Sequence, residues 1–168
     1  MQSPTEVRRA RAEDCDAIAQ IYNEGIAERS STFETDERTA ADIEMWLDSA
    51  THPAIVIERA GQVVGWGRLS PYSARACYAG VAEGSVYVRA SQRGRGLGGA
   101  LVVALRDEAA RAGLHKIVGK LFADNGPSRR LVARHGFREV GTHLRHGRLE
   151  GEWRDVVVVE LLLGKAAA

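Results

Sequence analysis

The 168-residue chain has only two cysteines and almost no net charge, 23 lysines and arginines facing 22 aspartates and glutamates. Cys15 and Cys77 share no CxxC or metal-ligand spacing, which excludes a disulfide scaffold and reads as two buried, inert thiols in a reducing compartment, with no metal expected. No apolar run approaches the ~20 residues of a membrane span. The opening MQSPTEVRRARAED lacks the apolar core of a secretion signal, so the expected location is the cytoplasm, with no membrane partner. A net charge of +1 also argues against nucleic acid as a partner. What is present is 45% hydrophobic residues, too apolar and too evenly charged for disorder, in a length that suits a single domain over 1–168.

The neutral total conceals an uneven layout. Residues 1–50 carry 12 acids against 5 bases, a net of −7, and residues 51–168 carry 10 acids against 18 bases, a net of +8. A neutral protein with a local basic cluster fits a small anionic ligand better than a polyanion. The acidic first fifty residues read as a solvated face.

The hydrophobic periodicity alternates between helix and strand. Glu6–Arg9 is a strand, and Ile18, Ile21, Tyr22 and Ile26 mark one face of a helix over Asp14–Arg29. Thr39 caps a second helix over Ala40–Ser49, which Pro53 closes. Ala54–Ile57 and Val63–Trp66 form a hairpin around Ala60-Gly61-Gln62, and Pro71–Ala76 is a loop. Val81–Val88 is a long strand; Leu97, Leu101, Leu105 and Ala109 follow at the spacing of a helix that Gly113 stops. Lys116–Phe122 is a buried strand, Ala123–Pro127 a loop, Ser128–His135 a short helix, and Phe137–Leu144 with Trp153–Leu163 a closing strand pair, Trp153 being placed in the core or an interface. The order predicts a mixed α/β sheet covered by helices.

The stretch Val88-Arg89-Ala90-Ser91-Gln92-Arg93-Gly94-Arg95-Gly96-Leu97-Gly98-Gly99 carries the chemistry. It joins a strand to a helix. Glycines let backbone N–H groups converge on an anion, the helix N-terminus adds its dipole, and three arginines with no acid nearby in sequence complete a phosphate or pyrophosphate site. Gly94, Gly96 and Gly99 also satisfy G-x-G-x-x-G, but that dinucleotide turn follows its strand at once near the start of a doubly wound domain, and here five residues, mostly polar or basic, intervene. No G-K-S/T follows, which excludes a P-loop.

Arg93-Gly94-Arg95-Gly96-Leu97-Gly98 resembles the R/Q-x-x-G-x-G/A signature of the GNAT acyl-CoA N-acyltransferases, and the order of elements is similar over nearly the whole chain. Within that superfamily the chain is most similar to the phosphinothricin and methionine sulfoximine N-acetyltransferases. Ile21-Tyr22-Asn23, Thr32-Phe33-Glu34-Thr35, Ala74-Arg75 with Tyr78, Ser85-Val86-Tyr87-Val88, Asn125 with Ser128-Arg129, and Gly151 with Trp153 and Asp155-Val156 carry the likeness.

The resemblance implies a GNAT-type mixed, largely antiparallel sheet of six to seven strands covered by about four helices. It implies acetyl-CoA as co-substrate and a small-molecule amine as acceptor. The pyrophosphate would be held by amides of Arg93, Gly94, Arg95, Gly96, Leu97, Gly98 and Gly99, and the pantetheine arm by Val86, Tyr87 and Val88, with Asn125 and Ser128 near its far end. Arg129 and Arg130 are candidates for the 3′-phosphate. Glu83 would be the general base, acting through a water, and the Val88 N–H would bind the oxyanion. Arg75 suits a carboxylate or phosphinate, with Phe33 and Tyr78 as the apolar wall of the acceptor pocket. A homodimer is expected.

Two positions and one segment depart from the pattern. Gly84 stands where relatives often have serine, Val132 where they often place a Tyr or His proton donor, and His146–Gly151 replaces a segment that commonly carries an aromatic residue and a lysine. His135 is read as a helix C-terminal residue. Acetylation of a protein N-terminus or lysine, a silent acyl-CoA sensor and a dinucleotide-binding module remain as alternatives.

Overall fold

The computed structural model describes residues 4–167. Its centre is one seven-stranded sheet, with strands β1 (Thr5–Arg9), β2 (Ala54–Arg59), β3 (Gln62–Pro71), β4 (Val81–Val88), β5 (Lys116–Phe122), β6 (Arg138–Leu149) and β7 (Glu152–Leu162). The spatial order is β1-β2-β3-β4-β5-β7-β6, antiparallel throughout except for β4 against β5. Four helices cover it: α1 (Cys15–Glu28), α2 (Ala40–Glu44), α3 (Leu97–Arg111) and α4 (Gly126–Arg134). The fold class expected from the resemblance is therefore the one observed.

Strand alternation decides what lies on each face. On β2, Ile55 and Ile57 pack with Leu101 and Leu105 of α3, whereas Val56 between them packs with Ile18 and Ile21 of α1 and Ile43 of α2. The sheet is thus a middle layer between α3 and the α1–α2 pair, and strands buried on both faces read as continuous apolar runs.

Several boundaries differ from expectation. The second helix ends at Glu44, not Ser49, because Trp46 and Leu47 donate to Ile43 and Glu44 in three-residue turns that leave Met45 exposed. The β2–β3 turn is only Ala60-Gly61, and β3 runs on through Pro71. Asn125 caps α4, accepting from the Ser128 N–H at 3.2 Å, so that helix starts at Gly126 with Pro127 in its first turn. Of the closing strands, β6 runs on to Leu149, beyond the predicted Leu144, whereas β7 keeps its predicted length shifted by one residue, and the two meet at Leu149–Glu152. Cys15 is buried as expected, but Cys77 is exposed in a short 3-10 turn, Ala76–Tyr78. Trp153 is half exposed beneath the Arg148 guanidinium, 4.2 Å from its ring centroid, and so lies outside the core.

Asp14 is a buried acid at the start of α1. It accepts from Arg8 Nη1 and Nη2 at 2.7 and 2.9 Å and from the Arg11 N–H at 2.7 Å, while Arg8 also pairs with Glu58. Burial alone would raise the Asp14 carboxyl, but the Arg8 and Arg11 hydrogen bonds outweigh it and hold the group below the ordinary carboxylate value. A depressed folded-state pKa adds stability above the unfolded value of ~3.9, and that stability is lost as pH falls through the folded value. Asp14→Asn is expected to cost about 3 kcal/mol at neutral pH and to flatten the acid limb of stability, read by urea unfolding across pH 3–7.

Candidate active site

The sheet opens in its middle. Parallel pairing of β4 with β5 covers only Val81↔Lys116, Ala82↔Ile117 and Glu83↔Val118. Beyond it β4 stays with β3 as far as Gly65↔Val88, and β5 stays with β7 from Gly119↔Val159 to Phe122↔Val156. From Gly84 onward the two strands part, and β4 presents an unpaired backbone edge to the gap. Arg89 donates its N–H to Val64 on β3 at 2.8 Å, so by alternation the Val88 N–H points the other way, into the gap. The Val88 carbonyl is occupied by Arg93 Nε at 3.0 Å. The gap is a cavity of about 100 Å³ lined by Gly84 to Tyr87 of β4, Val102 and Leu105 of α3, and Asn125, Ser128, Leu131 and Val132 around α4.

At the wide end of the gap the glycine turn leads into α3. Gly96 is the residue preceding the helix, with φ +79°, a left-handed conformation that strains any side chain, and no side chain caps the first N–H groups. A Cβ built at Gly94 or Gly96 meets no atom within 4 Å, so the space above these amides is open. Gly98 and Gly99 serve a different purpose. A Cβ there would stand 3.1 Å from Leu131 Cδ2 and 2.9 Å from His135 Cε1, so these glycines let α4 lie against α3. His135 ends α4, as expected. Gly99→Val is expected to lower stability by about 2 kcal/mol by prising the helices apart, read as a fall in the denaturation midpoint.

The arginines of the turn are not free of acids. Arg93 Nη1 lies 2.9 Å from both carboxylate oxygens of Glu28, and Arg89 Nη1 lies 2.9 Å from Glu24, whose second oxygen accepts the Ala90 N–H at 2.9 Å. Two acids of α1 therefore anchor the turn, and the acidic first fifty residues are not simply a solvated face. Arg95 enters no ion pair among the described residues. Any anion bound here would rest on backbone N–H groups and Arg95 more than on Arg89 or Arg93.

Glu83 stands at the last paired position, where the gap begins, with its side chain 30% exposed and 2.9 Å from Lys120 Nζ. Lys120 lines the cavity, and the sequence marks it only as the second of two lysines in the strand segment Lys116–Phe122. Val132 lines the α4 wall, so no side-chain acid stands at that position. The Tyr87 ring stacks on Trp66 at 4.8 Å and 18°, and burial pushes its hydroxyl well above the usual tyrosine value.

Residues 16–137 match the model of the Acetyltransferase (GNAT) family. The chain is 34% identical to the phosphinothricin N-acetyltransferase of Streptomyces coelicolor over 92% of its own length and 94% of that protein. It is 31% identical to the L-methionine sulfoximine/L-methionine sulfone acetyltransferase of Salmonella typhimurium, covering 96% of each. The chain belongs to the GNAT acetyltransferase family. Its fold superposes with a TM-score of 0.90 on a phosphinothricin acetyltransferase of Sinorhizobium meliloti solved in complex with acetyl-CoA, at 25% identity over 96% of this chain and 90% of that one.

In this GNAT domain the coenzyme fits the residues present: a slim apolar gap with a free strand edge leads to an uncapped helix N-terminus under open space. Asn125 and Ser128 both line the gap, although the Asn125 carbonyl is already spent on the Ser128 N–H and its Nδ2 donates to Ser30 at 3.2 Å. Arg129 pairs with Glu139. The three expected acceptor residues fall in two groups. Arg75 and Tyr78 share the exposed β3–β4 connection, the guanidinium 5.7 Å from the Tyr78 ring centroid, with Tyr72 packed edge-on behind. Phe33 instead packs edge-on against Phe122 at 4.8 Å and fills the place that a side chain at Gly147 of β6 would take.

Proposed function

We propose that the protein transfers the acetyl group of acetyl-CoA to the α-amine of a small amino-acid-like acceptor of the phosphinothricin or methionine sulfoximine kind. The open β4 edge beside the N-terminus of α3 is the observation that carries this reading, together with the names of its relatives. Acetyl-CoA supplies, when bound, an activated thioester carbonyl and a thiolate leaving group. The amides of Arg93 to Gly99 would receive the pyrophosphate, and the edge at Val86–Val88 would pair with the pantetheine arm as an added strand does. The Val88 N–H, aimed into the gap, would stabilise the carbonyl oxygen as charge develops on it.

An alkyl ammonium near pKa ~10 must lose a proton before it attacks. Glu83 at the mouth of the gap is the carboxylate placed to take it through a water, with Lys120 fixing its side chain. With Val132 in the wall the thiolate would leave without a side-chain proton donor, which a thiol of pKa ~8.5 permits. Arg75, Tyr78 and Phe33 would border the acceptor. The same reading takes residues 1–168 as one cytoplasmic domain that forms a homodimer, for which Val140, Leu144 and Trp153, exposed on β6 and β7, offer apolar surface.

Thiol release from acetyl-CoA across amino acids, their phosphinate and sulfoximine analogues, and short peptides tests the proposal. Turnover with the amino-acid analogues is expected. Turnover with peptides alone would move the acceptor to a protein N-terminus or lysine, and tight coenzyme binding without any turnover would make the protein a sensor.

A further inference from the structure

The sheet face opposite α3 carries a second cavity, of about 450 Å³, between β3 and helices α1 and α2, lined among others by Tyr22, Arg38, Trp46 and Arg68. Two acids, Glu34 and Asp42, and two arginines line it, so the formal charges balance, but they are not all paired with one another. Arg38 pairs with Glu34, and Asp42 is engaged by the Thr39 N–H and hydroxyl at 2.8 and 2.9 Å. Arg68 remains: it enters no ion pair among the described residues, and its Nε is buried without a hydrogen-bond partner. Its guanidinium carbon lies 4.5 Å from the Trp46 ring centroid, so an indole rather than a counter-ion fixes its plane. Burial lowers its pKa from the ordinary arginine value, which still leaves a cation at neutral pH.

Such a group is only partly compensated for the water it has lost. A carboxylate or phosphinate in the cavity would complete it with two parallel N–H···O bonds. The position also suits the chemistry. Arg68 faces Ser85 across the β3–β4 ladder, and Glu83 is two residues along from Ser85, so Arg68 and Glu83 share one sheet face as diagonal neighbours, roughly 7–8 Å apart at the backbone.

We propose that Arg68 is an anion anchor of the acceptor site, receiving an acidic group of the molecule whose amine is presented to Glu83. The inference rests on the amino-acid acceptor proposed above and narrows it. Arg75, exposed on the β3–β4 connection, stays available for another acidic group, so an amino acid that carries two, as a phosphinate amino acid does, is the favoured class.

Arg68→Gln tests this with paired acceptors: phosphinothricin and methionine sulfoximine, each beside the amine that lacks its α-carboxylate, and phosphinothricin beside its analogue without the phosphinate. Loss of charge-assisted hydrogen bonds is expected to raise KM about 10- to 100-fold for acceptors that carry the anchored group, and to leave KM for acetyl-CoA and for the partner lacking that group unchanged. The pair in which the effect vanishes identifies which acid is bound. Arg68→Lys is expected to recover only part of the loss, since an ammonium lacks the planar fork. Because a poorly compensated cation is removed, the melting temperature of Arg68→Gln should hold or rise; a fall with KM raised equally for every acceptor would overturn the anchor in favour of a packing role. Titration of Trp fluorescence with the N-acetylated amino acids, which keep the acid and need no turnover, separates the two proposals. Binding lost in Arg68→Gln while no amino acid is acetylated removes the acceptor reading and keeps the anchor. Binding absent in the parent protein, or unchanged in the variant, overturns the anchor.

Discussion

Gly96→Arg is expected to lower acetyl-CoA affinity at least 100-fold while the protein stays folded. Two effects act together. At φ +79° any side chain carries left-handed strain of about 1–2 kcal/mol, and the arginine would project into the open space over the first amides of α3, where the pyrophosphate is proposed to lie. Gly96→Ala separates them, since a methyl carries the strain and leaves most of the space. Calorimetric titration with acetyl-CoA, beside a thermal melt, reads both; affinity for Gly96→Arg within threefold of the parent would sink the assignment of the turn to phosphate.

Glu83→Gln is expected to cut kcat by roughly 100-fold or more, within the range of general-base catalysis, and to flatten the acid limb of the pH–rate profile. The amide keeps the shape and loses both the proton acceptor and the charge that meets Lys120 at 2.9 Å. The KM for acetyl-CoA should stay unchanged, because the coenzyme is assigned to β4 beyond Gly84 and to α3. Unaltered turnover at neutral pH would remove Glu83 as the base and direct attention to a water without a carboxylate partner.

What the sequence disclosed and what it concealed divide along the range of the interactions. Strand β5 has the predicted bounds, Lys116–Phe122, because a β-branched apolar segment between a glycine stop and a polar loop is a local signal. The turn before α3 was legible for the same reason. The pairs Glu24–Arg89 and Glu28–Arg93 each span 65 residues, and Lys120–Glu83 spans 37; no local pattern announces them, so arginines that look unopposed along the chain are opposed in space. The habit of its residue type places Cys77 in the interior, but the β3–β4 connection that carries it leaves it exposed in a short 3-10 turn. The glycine signature combined two signals: Gly94 and Gly96 leave open space, whereas Gly98 and Gly99 admit a neighbouring helix. No local pattern distinguishes Arg68, because a lone cation in an apolar strand becomes conspicuous only when its neighbours are engaged elsewhere.

The gap between β4 and β5 also bears on aggregation. An open strand edge is ordinarily a template for another chain, and the two outer edges here are guarded by charge, Glu6 and Arg9 on β1 and Arg138, Glu139 and Arg145 on β6. Between Gly84 and Val88 the inner edge carries no charged side chain. Its protection is its shape: a wedge walled by α3 and α4 excludes a neighbouring sheet and admits only a slender, extended molecule, so the strand left open for recognition is the one least open to aggregation.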